Sequence, residues 1–352
     1  MSTPRRTPER RPTMRDVARE AGVALRTVSR VVNGESNVNA EMAGRVHSTI
    51  ARLGYRPDER ARQLRRGSSQ TIGAALRGTG GMWEHTAEHT ARAAGFMTLA
   101  ASTEDDPALY AQVIESLCQR RVDGLMVEPI GAATPYLVAE VEAGLPVVAV
   151  DRPLEDVPAD SVVSDNAGGI RAAVEHLLAR GHREIAYIGD SERIYTGRLR
   201  AEAFRSCLQE AGLAVEDASV TTGEAGPEMV ADALDRMRRC SAPPTALVTG
   251  NNVISWQVLR QLGPAIGELA VFCFDSLENA ELLAHPVSTV NQDLEGLGRT
   301  AVDLLLARLA EPERERQHII LPVSLSIRAS SEVPPPPRAR RRRAHKAQAP
   351  SS

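Results

Sequence analysis

The stretch Thr13-Met-Arg-Asp-Val-Ala-Arg-Glu-Ala-Gly-Val-Ala-Leu-Arg-Thr-Val-Ser-Arg-Val-Val-Asn33 decides how the head of this chain folds. Thr13 offers a cap and Asp16 suits a first helical turn, so a helix runs from there to about Ala21. Gly22 permits a tight turn. Leu25, Val28, Val31 and Val32 then give the next element a helical apolar face, which Asn33-Gly34 ends. A third helix, about 40–53, follows Asn39 as cap and stops at Gly54. Two short helices joined through a glycine turn, among many arginines, form a helix-turn-helix pattern. Length and charge alone equally allow a small three-helix bundle with a solvated basic face.

Working outward, charge separates this head from the rest. The 352 residues carry a net charge of −3. In residues 1–67, fifteen arginines against seven acids leave +8, residues 332–352 hold +5, and residues 68–331 hold −16. A basic head on an acidic body points to a polyanion as the head's partner. With 42% apolar residues the body can bury a sizeable core, which excludes a mainly disordered or fibrous chain. No apolar run approaches the ~20 residues of a membrane span. The start, Met1-Ser-Thr-Pro-Arg-Arg6, leads into no hydrophobic signal region, so a cytoplasmic protein with no membrane partner is expected. Cys118, Cys207, Cys240 and Cys273 are widely spaced, which fits reduced thiols rather than a disulfide frame.

From Thr71 on, short β-like runs alternate with amphipathic stretches. The runs are 72–76, 98–101, 124–127, 146–150, 184–188, 246–249 and 269–274, and the helical stretches include 108–120, 169–180 and 200–211. This is the pattern of βαβ units and parallel sheets. No G-x-G-x-x-G follows a strand, and neither G-x-x-x-x-G-K nor G-x-S-x-G occurs, so nucleotide and hydrolase readings lack their anchors. No paired acid/base or nucleophile motif appears, so neither an enzyme nor a cofactor is expected. His85 and His89 stand four apart beside Glu84 and Glu88, but H-E-x-x-H is absent, so two solvated histidines are expected and no metal.

The opening string, together with Leu53-Gly-Tyr-Arg-Pro-Asp-Glu-Arg-Ala-Arg-Gln-Leu64, closely resembles the head of the lactose/galactose repressor (LacI) family. Ser161-Val-Val-Ser-Asp-Asn166, Glu175-His-Leu-Leu-Ala-Arg-Gly-His182, Ser288-Thr-Val-Asn-Gln292 and Leu321-Pro-Val-Ser-Leu-Ser-Ile-Arg328 resemble its body, so the likeness reaches about Ser331. It implies a small all-α helix-turn-helix head plus an α/β two-lobed periplasmic-binding-protein-like core. The expected parts are a flexible start (1–12), the helix-turn-helix (13–57), a hinge helix (58–67), the core (68–331) and a disordered basic tail (332–352). Lobe 1 is expected at about 68–162 and 291–319, and lobe 2 at about 163–290 and 320–331.

The resemblance also implies roles. Leu25 and Arg26 sit at the family's variable base-reading positions, and Arg30 matches a guanine-reading arginine, whose guanidinium can grip O6 and N7 together. Thr13, Thr27, Ser29, Asn33, Asn37 and Asn39 match positions that orient the helix or touch phosphate, and Tyr55 joins the expected DNA-contact set. Ala61, Arg62 and Leu64 match the hinge, where paired leucines of a dimer wedge into the minor groove. In the cleft, Arg200, Asn251 and Asp275 match effector-binding positions. Asp151 and Asp165 are further candidates at strand ends, with a helix cap or an ion pair equally open for each acid. The chain departs from the family at Ala24, where a capping Ser is usual, and at Asn252 (for Asp) and Ala203 (for Gly). Ala225 lies about where the lactose repressor has a sugar-stacking Trp. Trp83 and Trp256 are candidate substitutes, with ordinary packing favoured for Trp256. The expected function is a sequence-specific DNA-binding repressor in the bacterial cytoplasm and nucleoid. A homodimer would bind a pseudo-palindromic double-stranded DNA operator, with a small-molecule effector, a carbohydrate, in the cleft. The alternatives are a regulator with a degenerate pocket, or an activator.

Overall fold

Thr13 opens the head as expected: its backbone N–H and hydroxyl both donate to the Asp16 carboxylate, at 2.9 and 2.6 Å, and close the first turn of helix α1 (Met14–Ala21). Gly22 ends that helix at φ +64°, in the left-handed region that favours glycine. Helix α2 (Leu25–Val32) and helix α3 (Ala40–Leu53) follow. Val17, Val28 and Val46, one from each helix, are fully buried together, and Tyr55 packs beside them. Arg52 of α3 pairs with Glu20 of α1 across this small bundle.

The computed structural model describes residues 12–35, 37–56, 68–78, 81–215, 219–277 and 280–336. The hinge expected at 58–67, with Ala61, Arg62 and Leu64, lies outside the described residues, as do 1–11 of the expected flexible start and 337–352 of the tail. The chain divides into two compact units at residue 69.

The second unit holds two lobes of like construction. In lobe 1 the strands are β1 (Thr71–Leu76), β2 (Met97–Ser102), β3 (Gly124–Val127), β4 (Val147–Val150), β5 (Asp160–Ser164) and, from the chain's return, β11 (His318–Leu321). They form one parallel sheet in the order β11-β5-β4-β3-β1-β2. Lobe 2 repeats the order with β6 (Ile185–Asp190), β7 (Val220–Gly223), β8 (Ala246–Thr249), β9 (Ala270–Phe274) and β10 (Ser288–Gln292). Its last strand, β12 (Val323–Ser326), lies antiparallel on β10. Helices cover both faces of each sheet. In lobe 1 these are α4 (Met82–Ala93), α5 (Pro107–Gln119), α6 (Pro135–Glu142) and α11 (Leu294–Ala310). In lobe 2 they are α7 (Asn166–Ala179), α8 (Tyr195–Glu210), α9 (Pro227–Arg239) and α10 (Asn252–Leu262). Strands covered on both faces read as unbroken apolar runs, and β3, β4, β8 and β9 are buried along their whole lengths.

The chain crosses between lobes at residues 165, 293 and 322, two residues beyond each expected boundary, because β5, β10 and β11 keep their ladders to Ser164, Gln292 and Leu321. Two crossings are built alike. Asp165 and Asp293 each cap the next helix, accepting at 2.8 Å from the N–H of Gly168 and of Gly296. A Cβ on either glycine would come within 2.1–2.2 Å of its cap carboxylate, so the cap side chain would have to shift. The tail also starts later than expected. His182 Nε2 bonds the Val333 carbonyl at 2.9 Å, and Glu332 pairs with Arg180 and His176, which holds the chain against lobe 2 beyond residue 331. Among the described residues no helix is long and apolar enough to cross a membrane.

Candidate functional site

On the head, α2 presents Leu25 (43% exposed) and Arg26 outward, while Val28 and Val31 of the same helix are buried. Thr27, Ser29 and Arg30 lie half-buried along it, and Arg30 Nε stands 3.5 Å from Glu35. Asn33 and Asn37 are exposed past its end. The N-cap is Ala24, which offers no side-chain bond. Three of the expected DNA-contact residues also have structural work. The Thr13 hydroxyl proton is given to Asp16, and Asn39 Oδ1 caps α3 by accepting from Glu41 and Met42. The Tyr55 ring is core, only 7% exposed, because it closes the bundle behind Gly54.

In the second unit, parallel strands of both lobes run toward the cleft and the residues after their C-terminal ends meet there, which is where open α/β sheets bind ligands. In lobe 1 these are Arg77 after β1, Asp105 after β2, Glu128 after β3, and Asp151 and Arg152 after β4. Arg77 pairs with Asp105, and Arg152 stands 3.8 Å from Asp105 and 3.5 Å from Asp151. Glu128 accepts from the Arg77 amide and, at 3.1 Å, from Trp83 Nε1. Burial pushes the Glu128 carboxyl up to about 7, assisted by the nearby charges of Asp151 and Glu84.

In lobe 2 the facing residues are Asp190 at the end of β6, Asn251 after β8, Asp275 after β9 and Gln292 at the end of β10. Asn251 caps α10 through Oδ1, accepting from Ile254 at 2.8 Å, and donates its amide to Asp190 at 2.5 Å. Asp275 accepts from Gln292 Nε2 at 2.6 Å and from the Asn252 amide at 3.2 Å. Arg200 is wired into this lobe. Its Nε donates to Asn166 at 2.7 Å and its Nη1 to the Gly250 carbonyl at 2.6 Å. The same Nη1 lies 3.9 Å from Asp275, and the guanidinium covers the Phe274 ring at 3.7 Å. Asp151 and Asp275, at matching positions after the fourth strand of each lobe, both hold positive φ (67° and 71°), a conformation that aspartate tolerates better than most side chains. The two layers face each other. Burial raises the Asp190 carboxyl, while Arg77 and Arg152 of lobe 1 act on it across the cleft to lower it.

Of the expected effector residues, the structure brings Arg200, Asn251 and Asp275 together and places Asp151 opposite, in lobe 1. Asp165 sits at a lobe crossing, where one of its carboxylate oxygens caps α7. Asp190, Glu128, Arg77 and Arg152 were missed. Beside these layers a cavity of about 1140 Å³ lies between the lobes, lined by Leu76, Trp83, Met126, Trp256, Gln292 and Leu294 among others. Trp256 is not ordinary packing: it is 36% exposed and faces this space. Trp83 also lines it, and Ala225 instead packs into the apolar layer under α9. Among the described residues no cluster of three or more potential metal ligands occurs.

Comparison with known proteins places this geometry. Residues 13–58 match the family described as bacterial regulatory proteins, lacI family, and residues 174–331 match the periplasmic binding protein-like domain. The ribose operon repressor of Escherichia coli K12 is 29% identical over 328 residues, covering 91% of this chain and 99% of its own. The HTH-type transcriptional repressor PurR of Photobacterium profundum is 27% identical over 328 residues, 90% and 98% of the two chains. A crystal structure of the Lac repressor dimer bound to operator and the anti-inducer ONPF aligns with a TM-score of 0.79 at 26% identity, over 92% of this chain and 99% of that one. A complex of the transcriptional regulator CelR with cellobiose aligns at 0.66 and 26% identity, over 91% and 100%.

Proposed function

We propose that this chain, whose residues 13–58 match the lacI family of bacterial regulatory proteins, is a DNA-binding transcriptional regulator of that family that represses transcription from a pseudo-palindromic operator as a homodimer controlled by a neutral carbohydrate in its cleft. The observation that carries the DNA reading is helix α2, which turns Leu25 and Arg26 outward beside half-buried Arg30 while its valines hold the bundle. Arginines on such a helix read guanine in the major groove, and a two-fold dimer sets the spacing of two half-sites. The homodimer reading rests on apolar residues left exposed. In lobe 1 these include Met97, Leu99 and Ile320, and in lobe 2 Val253, Leu282 and Ile327. The named relatives are transcriptional regulators and two of the aligned structures hold ligands, which supports a regulator rather than a catalyst. It works in the cytoplasm, on the nucleoid.

The cleft supplies carboxylates, amides and guanidiniums at strand ends beside two indoles, a set suited to a hydroxylated ring. Selection of DNA fragments by the purified full-length protein tests the proposal. We expect a two-fold symmetric site with guanine in each half-site and release, or tighter retention, on adding one sugar. Recovery of sequence-independent binding alone defeats the operator reading.

A further inference from the structure

The end of helix α2 holds an acid that has no part in the proposed function. The helix closes on two backbone bonds. The Gly34 N–H donates to the Val31 carbonyl at 3.1 Å and the Glu35 N–H to the Arg30 carbonyl at 3.0 Å, with Gly34 at φ +70°. This bond pattern around a left-handed glycine folds the chain back onto the last turn of the helix. It brings Glu35 against Arg30. One Glu35 carboxylate oxygen stands 3.5 Å from Arg30 Nε, with the arginine side chain 36% and the acid side chain 46% exposed. Most exposed ion pairs cost side-chain entropy to hold two long side chains together, and here the backbone supplies part of that ordering.

We propose that Glu35 is a positioning residue for Arg30, which sets the edge of the guanidinium that meets DNA and so sharpens base discrimination. The inference rests on the reading of α2 as the helix that enters the major groove. A guanidinium is a planar fork of N–H donors, and guanine takes a pair of them through O6 and N7. With Glu35 on the Nε side, the edge formed by the two Nη groups is left for the base. The carboxylate also offsets the charge of the arginine. On unrelated DNA an arginine without such a partner turns to the nearest phosphate, and each contact of that kind adds sequence-independent affinity. A carboxylate beside it repels the phosphate but has no net charge to repel on a guanine edge. Glu35 therefore lowers the competing affinity more than the specific one, and specificity is the difference between the two.

The test uses the full-length protein and the operator that fragment selection returns. Duplexes in which each guanine of one half-site is replaced in turn, and one random-sequence duplex, are titrated by fluorescence anisotropy at several salt concentrations. The proteins are wild type, the isosteric Glu35→Gln, Arg30→Met and the double variant, whose melting curves verify folding. In the wild type, replacing one particular guanine is expected to weaken binding about fivefold to a hundredfold, and Arg30→Met is expected to abolish that penalty. Glu35→Gln is expected to shrink the same penalty about twofold to fivefold while it tightens binding to the random duplex and steepens the salt dependence. In the Arg30→Met background Glu35→Gln should alter no base penalty, because its effect runs through the arginine. A common factor on every duplex from Glu35→Gln overturns the proposal and leaves Glu35 a plain surface charge, as does a change in penalty that is the same with and without Arg30. If Arg30→Met lowers the penalty at no guanine, the base-reading role of Arg30 fails first and the positioning role falls with it.

Discussion

Replacing Arg200 by Met separates the two jobs that its position suggests. The side chain's volume is nearly kept, so the change removes charge and donors rather than opening a cavity. It strips the Asn166 carbonyl oxygen and the Gly250 carbonyl of their 2.7 and 2.6 Å partners and removes the cation 3.7 Å above Phe274. Each buried acceptor left unpaired costs about 1–3 kcal/mol. The cation–π contact contributes about 1–2 kcal/mol when desolvated. The three share one guanidinium and are not additive, so about 3–5 kcal/mol is the expected total, in line with removing one partner of a buried ionic network. In a unit of this size about 1 kcal/mol moves the melting point by about 2–4 °C, so Arg200→Met is expected to melt roughly 10 °C below wild type without any ligand present. The assay is thermal unfolding by circular dichroism, with Arg198→Met as control. Arg198 is 41% exposed and pairs with Glu155 at 3.5 Å, and its loss is expected to cost about 0–1 kcal/mol. An Arg200→Met protein that melts within about 2 °C of wild type refutes the view that this arginine is first a strut of lobe 2.

Four further outcomes follow from the same reasoning. Ala24→Ser supplies the missing cap of α2, which should stabilise the head by about 1 kcal/mol, read as slower amide exchange in α2, and tighten operator binding about fivefold by anisotropy. Gly298→Ala places a Cβ 2.1 Å from the Trp83 carbonyl oxygen and 2.8 Å from the Ala87 nitrogen, so α4 and α11 must separate, at a cost of about 1–3 kcal/mol in denaturant unfolding. Glu128 is held above its unfolded pKa, so the folded state prefers its proton. Stability from this group is therefore full below about pH 4.5 and is lost as pH rises to about 7, and Glu128→Gln should gain about 1–3 kcal/mol on wild type between pH 5 and pH 8. A wild-type advantage that grows with pH contradicts that sign. Finally, Met97→Glu with Leu99→Lys puts charge on the exposed face of β2, and sedimentation is expected to shift from dimer to monomer.

Much of the fold could be read from the chain because each signal was local. A capping Thr, a turn glycine and a 3.6-residue apolar period mark α1 and α2, and unbroken apolar runs such as Leu125–Val127 inside β3 mark strands covered on both faces. Boundaries were less legible. A strand that enters a cleft ends on polar residues, and β5 and β10 are absent from the expected runs although Ser164 and Gln292 at their ends still pair. The chain past residue 331 reads as a proline-rich tail, yet its first residues are held by His182, His176 and Arg180, groups more than 150 positions away.

The site was legible only where type and position coincide. A polar residue after a buried run is a fair candidate, and Arg200, Asn251 and Asp275 do converge. The same rule cannot separate Asp165 from Asp190, since each is an aspartate at the end of a strand. Asp165 is followed at the right distance by Gly168, whose free N–H claims its carboxylate, while Asp190 is followed by a turn and turns instead to Asn251, sixty-one residues on. What an acid does at a strand end is thus decided by whether a helix starts within three residues to take it. By that reasoning Asp293, which has Gly296 as Asp165 has Gly168, is a hinge cap, although it borders the cavity as closely as Gln292 does.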